Sequence, residues 1–130
     1  MNLVLDASAG VAVAHGGDPQ LSSYLERATW VGVPALYDFE ATNVVWKYAR
    51  LGVWTEEQCS DVLERVLGLP DARTSGRNLA AEALALARHH RHSAYDMFYV
   101  VLARRHDALL VSRDKRLVDL ARTAGVKVAT

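Results

Sequence analysis

Four carboxylates lie at the edges of apolar segments, where an acidic side chain caps a helix, faces solvent or binds a ligand. Asp6 follows the apolar segment NLVL, and Asp114 comes two residues after the similar segment ALLVS. Glu40 lies in PALYDFEATNVVWKY, and Asp96 precedes the apolar run MFYVVLA. Taken singly, each acid is best explained as a helix cap or a solvated charge. Taken together, the four acids could form one site.

The chemistry of such a site would follow from its oxygen-only donors. Carboxylates packed together repel one another and raise one another's pKa values unless a cation neutralises them. A donor set without Cys or His favours a hard cation, Mg²⁺ or Mn²⁺, which keeps several of its waters and binds substrate phosphate. If the four acids converge, the sequence therefore predicts a metal site that acts on phosphate groups.

Convergence of the acids requires that the two apolar segments form neighbouring parallel strands. Ligands bind beyond the carboxyl ends of such strands, which is where Asp6 and Asp114 would meet. Asp96 lies in the first turn of a predicted helix, so its side chain points back toward the same edge. Glu40 lies early in another predicted helix, and Asn43, one turn on, is expected to orient its carboxylate.

The apolar patterns predict an α/β fold with a mostly parallel central sheet flanked by helices on both faces. Continuous apolar runs are typical of buried parallel strands, and helical patterns separate them here. With 130 residues and no interdomain linker, the chain is expected to form a single domain, residues 1–130. The predicted strands are 2–6, 29–33, 108–112 and 127–130, with 70–74 as a further candidate, and the predicted helices are 18–28, 34–51, 55–67, 77–90, 93–105 and 114–124.

Composition narrows the classes of protein to which the chain can belong. Because 51% of the residues are hydrophobic and 23% are charged, the chain is expected to fold. Fifteen basic residues balance fifteen acidic ones, so RNA binding would depend on a local patch, for which Arg113 and Lys115 are candidates. A solvated helix end is the favoured explanation of these two charges on the sequence alone. The lone Cys59 and the absence of a signal-peptide pattern predict a cytoplasmic protein.

The order and spacing of these segments resemble those of the PIN-domain ribonucleases, and among them the VapC toxins of toxin–antitoxin pairs. The resemblance covers essentially the whole chain and rests on LVLDASA, PALYDFEATNVVWKYARLG and SAYDMFYVVLARRHDALLVSRDKRL. It implies that Asp6, Glu40, Asp96 and Asp114 correspond to the family's acidic metal site. It also places Ser112 where the family usually has threonine. The segment HGGD, which follows the first of these motifs, has no counterpart in the resemblance.

The resemblance implies a PIN-like domain that cleaves RNA phosphodiester bonds with Mg²⁺, or with Mn²⁺ in its place. Asp6 and Asp96 would be the principal metal ligands, with Asp114 and Glu40 completing the metal shell and one of these two helping to deprotonate water. Ser112 would hydrogen-bond a ligand or its water. The implied partners are an RNA substrate, a second copy of the chain, and an antitoxin. The antitoxin's C-terminal segment would lie in an apolar groove near Glu40 and cover the site formed by the four acids.

Two other functions remain open on the sequence. A catalytically silent PIN-like module would keep the fold and bind only RNA or a protein. A phosphatase with Asp6 as nucleophile would usually carry a second aspartate two residues on, where this chain has Ser8. A nucleotide-binding module is disfavoured, because no phosphate loop or dinucleotide fingerprint follows the first apolar segment.

Overall fold

A four-stranded, all-parallel sheet forms the centre of the computed structural model, which describes residues 1–129. The strands follow one another in the order β3-β2-β1-β4 across the sheet. Strand β1 pairs in parallel with both β2 and β4, and β2 pairs in parallel with β3. These pairings confirm the predicted α/β class. The strands are β1 (Asn2–Leu5), β2 (Trp30–Pro34), β3 (Ala72–Thr74) and β4 (Leu109–Val111).

Seven helices accompany the sheet within residues 1–129, and six of them match the helices predicted from periodicity. The helix that periodicity missed is α1, because its sequence ASAGVAVA is small and apolar on every side and six of its eight residues are buried. Gly10 of α1 also lets Tyr37 of α3 approach closely, since a Cβ there would overlap the tyrosine hydroxyl. The helices are α1 (Ala7–Ala14), α2 (Pro19–Arg27), α3 (Leu36–Arg50), α4 (Glu56–Gly68), α5 (Gly76–His90), α6 (Ala94–Arg105) and α7 (Lys115–Thr123).

Two hydrophobic cores, one on each face of the sheet, hold the helices in place. Leu3 and Leu5 of β1 belong to the core that packs against α1 to α4. Val4, between them, belongs to the opposite core, which packs against α5 to α7. This alternation is the two-residue period of a strand buried on both faces. The predicted covering of both faces by helices is therefore confirmed.

Strand β1 is the point from which later strands are added first on one side of the sheet and then on the other. From β1 the chain builds outward through β2 and β3, and β4 then pairs with the other side of β1. Leu5 pairs with Val111, and the backbone N–H of Asp6 donates to the Val111 carbonyl at 3.1 Å. The carboxyl ends of β1 and β4 thus meet at the point where open α/β sheets bind ligands.

The two outlying strand predictions are met only in part. The candidate at 70–74 is the edge strand β3, shortened to Ala72–Thr74. The predicted strand at 127–130 is a single parallel bridge between Val128 and Leu110, and Thr130 lies outside the described residues. Over residues 1–129, no helix has the length and apolar character needed to cross a membrane.

Candidate active site

Asp6 is fixed at the end of β1 by hydrogen bonds to both of its carboxylate oxygens. The Ala9 backbone N–H donates to Oδ1 at 2.9 Å, which makes Asp6 the N-cap of α1. The Ser8 hydroxyl lies 2.8 Å from Oδ1 and 3.0 Å from Oδ2, and the Ser112 hydroxyl donates to Oδ2 at 2.6 Å. Asp6 is only 5% exposed, and burial raises its pKa to about 6 although these hydrogen bonds oppose the rise. Asp6 is therefore a well-anchored acid with a pKa close to neutrality.

Ser112 connects Asp6 to the start of α7. Its hydroxyl donates to Asp6 and accepts from the Asp114 backbone N–H at 2.9 Å. Asp114 is the N-cap of α7, since its Oδ1 accepts from the backbone N–H groups of Arg116 at 2.9 Å and Leu117 at 3.4 Å. A single hydroxyl thus fixes the spacing between the two strand-end acids.

Glu40 is oriented by Tyr99, whose hydroxyl donates to Glu40 Oε1 at 2.6 Å. Burial raises the pKa of Glu40, the Tyr99 hydrogen bond opposes that rise, and the charges of Asp96 and Asp114 add to it. Tyr99 was not predicted as a site residue, although it lies three residues after Asp96 and hence on the same side of α6. The orienting role expected for Asn43 is wrong: its side chain is exposed and makes no hydrogen bond to Glu40 within the described chain.

Asp96 lies in the first turn of α6, but Ser93 rather than Asp96 caps that helix, accepting from the Tyr95 backbone N–H at 3.3 Å. Asp96 Oδ2 is buried and has no hydrogen-bond partner among residues 1–129. Two basic side chains come close without reaching hydrogen-bonding distance, with His92 Nε2 at 3.7 Å and an Arg116 terminal nitrogen at 3.8 Å from Asp96 Oδ2. Burial raises the pKa of Asp96, and His92 opposes that rise. A buried anionic oxygen without a partner calls for a positive ligand.

The four acids line one cavity of about 240 Å³ at the carboxyl ends of β1 and β4. Tyr99, Ser8 and Lys47 contribute to the same wall. The structure therefore brings together all four acids singled out in the sequence, which are Asp6, Glu40, Asp96 and Asp114.

The donor chemistry of this cavity fits a hard divalent cation. Its acids are carboxylates whose charges raise one another's pKa values, and the buried Asp96 Oδ2 has no hydrogen-bond donor in residues 1–129. As placed, no three Asp, Glu, His or Cys side chains in the described part of the chain are grouped to hold one ion. Their oxygens instead accept from Ser8, Ser112, Tyr99 and the first turn of α7.

The two candidate RNA contacts have different surroundings. Arg113 is exposed; its backbone N–H donates to the Ser8 hydroxyl at 3.2 Å, and its Nε lies 3.9 Å from Asp18 Oδ2. The Lys115 ammonium bonds Asp119 at 3.0 Å on the surface of α7, and it does not line the acidic cavity. Arg113 is therefore tied to the site through Ser8, whereas Lys115 is paired within its own helix.

Known proteins resemble this chain over most of its length. The sequence model of the PIN domain family matches residues 3–123. Ribonuclease VapC3 from Pyrobaculum aerophilum is 32% identical over 123 residues, which cover 92% of this chain and 94% of that protein. The crystal structure of PAE2754 from Pyrobaculum aerophilum superposes with a TM-score of 0.76 at 26% identity, covering 98% of this chain and 83% of the other. A toxin-antitoxin complex from Klebsiella pneumoniae superposes with a TM-score of 0.66 at 17% identity, covering 98% and 96%.

Proposed function

This chain belongs to the PIN domain family, and from that membership we propose that it is a metal-dependent endoribonuclease that cleaves RNA phosphodiester bonds. The observation that carries the proposal is the buried Oδ2 of Asp96, which has no hydrogen-bond partner in the described part of the chain and lies in one cavity with three further carboxylates. The relative that is 32% identical over nearly its full length is named a ribonuclease, which supports the choice of substrate.

In this proposal Asp6 and Asp96 hold Mg²⁺, with Mn²⁺ able to replace it, and Asp114 and Glu40 complete the shell directly or through water. A bound Mg²⁺ supplies an acidified water and offsets negative charge on the phosphate. Ser112 orients Asp6 through the 2.6 Å hydrogen bond, and its second contact keeps the first turn of α7 in register.

Glu40 is our choice for the group that accepts the proton of the attacking water, with Asp114 as the second candidate. A general base is most effective when its pKa lies near the working pH, and burial moves the pKa of Glu40 upward toward that range. Tyr99 holds the carboxylate by one oxygen, Oε1. The other oxygen has no protein partner within residues 1–129 and is available to a water.

Cleavage assays on the purified protein test this function. Labelled RNA should be cut in the presence of Mg²⁺ and left intact in EDTA, and Asp6→Asn should remove the activity with the metal present. Cleavage that is unaffected by EDTA would contradict the metal requirement. RNA binding without cleavage under any metal condition would support the catalytically silent alternative. The phosphatase alternative is disfavoured, because Ser8 stands where such an enzyme usually carries a second aspartate, two residues after the nucleophile.

The partner part of the proposal is an antitoxin that covers the acidic mouth. Phe39 is 74% exposed and Tyr95 is 65% exposed, and together with Phe98 they line an apolar groove of about 290 Å³. Phe39 and Tyr95 directly precede Glu40 and Asp96 in the chain, so a peptide segment in this groove would lie beside the acids. The toxin-antitoxin complex with the same fold agrees with such a partner.

Co-expression with the product of the adjacent gene tests the antitoxin proposal. A stable complex without nuclease activity is expected, and Tyr95→Ser should weaken it while leaving cleavage by the free protein intact. A neighbouring gene product that neither binds nor inhibits would exclude this partner.

We also propose that the protein forms a homodimer and works in a reducing cytoplasm, in keeping with its single cysteine. Sedimentation of the free protein would measure its oligomeric state directly.

A further inference from the structure

A second cavity of about 240 Å³ adjoins the acidic one, and the two share Ser8 and Val44 in their walls. The rest of its lining includes His15, Tyr48 and Arg113. His15 begins the segment HGGD, which the family resemblance did not account for. This segment connects α1 to α2, so it follows directly on the helix that Asp6 caps.

Aromatic rings form one wall of this second cavity. The Tyr48 ring stacks on Trp54 with centroids 4.3 Å apart, and the His15 ring lies 5.3 Å from the same tryptophan. His15 also packs over Gly17, because a Cβ added there would lie 2.5 Å from the imidazole atoms Cε1 and Nε2. The imidazole is thus held between Gly17 and Trp54 while His15 remains exposed to solvent. Aromatic faces held in this way provide a surface on which a nucleobase can stack.

Arg113 supplies a positive charge at the same place. Its backbone N–H donates to the Ser8 hydroxyl, which itself bonds Asp6, so the arginine is positioned by the acidic site. Asp18 Oδ2, at 3.9 Å, lies beyond hydrogen-bonding distance, and Asp18 Oδ1 is occupied as the N-cap of α2. The guanidinium side chain is 53% exposed and keeps donors free for a phosphate oxygen.

We propose that this second cavity binds an unpaired nucleobase of a single-stranded RNA whose neighbouring phosphate lies in the acidic cavity. The inference rests on the proposed ribonuclease function and adds a base-binding subsite to it. Bases of single-stranded RNA are free to stack on aromatic side chains, whereas those of a duplex are not. His15 and Tyr48 contact the base, and Arg113 contacts a backbone phosphate. An antitoxin segment is the less suitable occupant, since the apolar groove at Phe39 and Tyr95 offers it a more hydrophobic surface.

Equilibrium binding in EDTA tests the subsite without requiring cleavage. Fluorescence anisotropy would compare a short uridine oligoribonucleotide with an abasic ribose-phosphate chain of the same length and charge. The parent protein should bind the base-bearing oligomer about tenfold more tightly. His15→Ala should bring the two affinities close together, and Gly17→Ala should do so in part by displacing the imidazole. Arg113→Gln should weaken both oligomers by the same factor, because it contacts phosphate.

His106→Ala is the matched control, because His106 also packs against a tryptophan, Trp30, with ring centroids 4.4 Å apart. Trp30 begins β2 and His106 precedes β4, so this pair lies at the opposite end of the strands from the acids. The His106 variant should keep the parent's preference for bases. Equal affinity of the parent for both oligomers, or an unchanged preference in His15→Ala, would overturn the subsite. The subsite would also be overturned if the His15→Ala variant no longer bound the antitoxin but bound RNA as tightly as the parent.

The two proposals fail in distinguishable ways. A parent protein that cleaves RNA with Mg²⁺ but shows no preference for bases would keep the nuclease and remove the subsite. A parent that prefers bases in EDTA through His15, yet never cleaves RNA, would keep the subsite and remove the nuclease.

Discussion

Asp6 and Asp96 line the same cavity but are held in opposite ways. Asp6 has hydrogen-bond donors at both oxygens, from Ser8, Ala9 and Ser112, and is almost fully buried. Asp96 Oδ2 is buried with no such donor within the described residues, and the side chains of His92 and Arg116 lie just beyond hydrogen-bonding distance. Both oxygens of Asp6 therefore have protein donors, whereas Asp96 keeps one oxygen with no donor among residues 1–129.

This difference follows from the elements that carry the two acids. Asp6 ends a central strand whose neighbour β4 delivers Ser112, and it also caps α1, so backbone and side-chain donors surround it. Asp96 lies in the first turn of α6, which Ser93 already caps, so the Asp96 carboxylate is not used as a helix cap. The strand acid is therefore the more firmly held of the two, and the helix acid is the one with an oxygen that lacks a donor among residues 1–129.

The largest expected effect is on RNA cleavage by Asp96→Asn. Removing one anionic oxygen from a hard-cation site should lower the cleavage rate by more than about 100-fold, because even residues that only support metal ligands matter by about 10- to 100-fold. Melting curves should show Mg²⁺ stabilising the parent protein and stabilising this variant much less. Full cleavage by the purified variant, with contaminating nuclease excluded, would remove Asp96 from the metal site.

The next effect is on the stability of the metal-free protein, and here Asp6 should respond most. Burial raises its pKa from 3.8 to about 6, so the folded state disfavours the ionised form. This penalty is absent below about pH 4, grows between about pH 4 and pH 6, and reaches roughly 3 kcal/mol above that range. Asp6→Asn should therefore raise the free energy of unfolding in EDTA at pH 7.5, by at most about 3 kcal/mol.

Urea denaturation at both ends of this pH range measures the Asp6 penalty. The parent protein and Asp6→Asn should have similar stabilities near pH 4 and should diverge as the pH rises. Asparagine is also accepted as an N-cap, so the variant keeps the start of α1. A variant that is less stable than the parent at every pH would mean that the hydrogen bonds to Asp6 outweigh its burial.

Ser112→Ala should make Asp6 more like Asp96 by removing the donor at 2.6 Å from Oδ2. Loss of a hydrogen bond to a buried charged group costs about 1–3 kcal/mol of stability, and the looser carboxylate should slow cleavage by about 10- to 100-fold. Ser112→Thr keeps the hydroxyl and should retain activity. If alanine and threonine behave alike, the hydroxyl does not position Asp6.

The smallest effect concerns the basic residues, whose removal should weaken RNA binding without disturbing either acid. Replacing Arg113 and Lys115 together by Ala should reduce the salt dependence, with the slope falling by about 0.7 for each lost phosphate contact on single strands. The single variants separate the two residues, since Lys115 is paired with Asp119 and Arg113 is tied to Ser8. The affinity of the variants for Mg²⁺ should stay close to that of the parent. An unaltered salt dependence would mean that Arg113 and Lys115 are solvated charges that do not contact RNA.

The acidic cavity was predictable because its residues follow elements with strong sequence signals. Apolar runs that end in Asp6 and precede Asp114 identify neighbouring buried strands, and the pairing of β1 with β4 brings the two acids together. Asp96 and Glu40 could be placed because each lies early in a helix with a clear pattern. These predictions needed only the direction of each strand and helix.

The parts that were missed depend on packing between distant residues. The Tyr99 hydrogen bond to Glu40 joins side chains 59 positions apart and depends on how α3 and α6 meet, which no local pattern records. Asn43 looked suitable by helical spacing alone, but its side chain faces solvent. Helix α1 escaped because a helix that is apolar on all sides has no amphipathic period.

The hydrogen bond from Ser112 to Asp6 spans 106 positions of the chain, which sets when the acidic cavity can appear during synthesis. β4 must leave the ribosome and insert beside β1 before Ser112 and Asp114 reach the first strand. Contacts of such long sequence separation form late and slowly. The growing chain therefore passes through most of its synthesis without an assembled site.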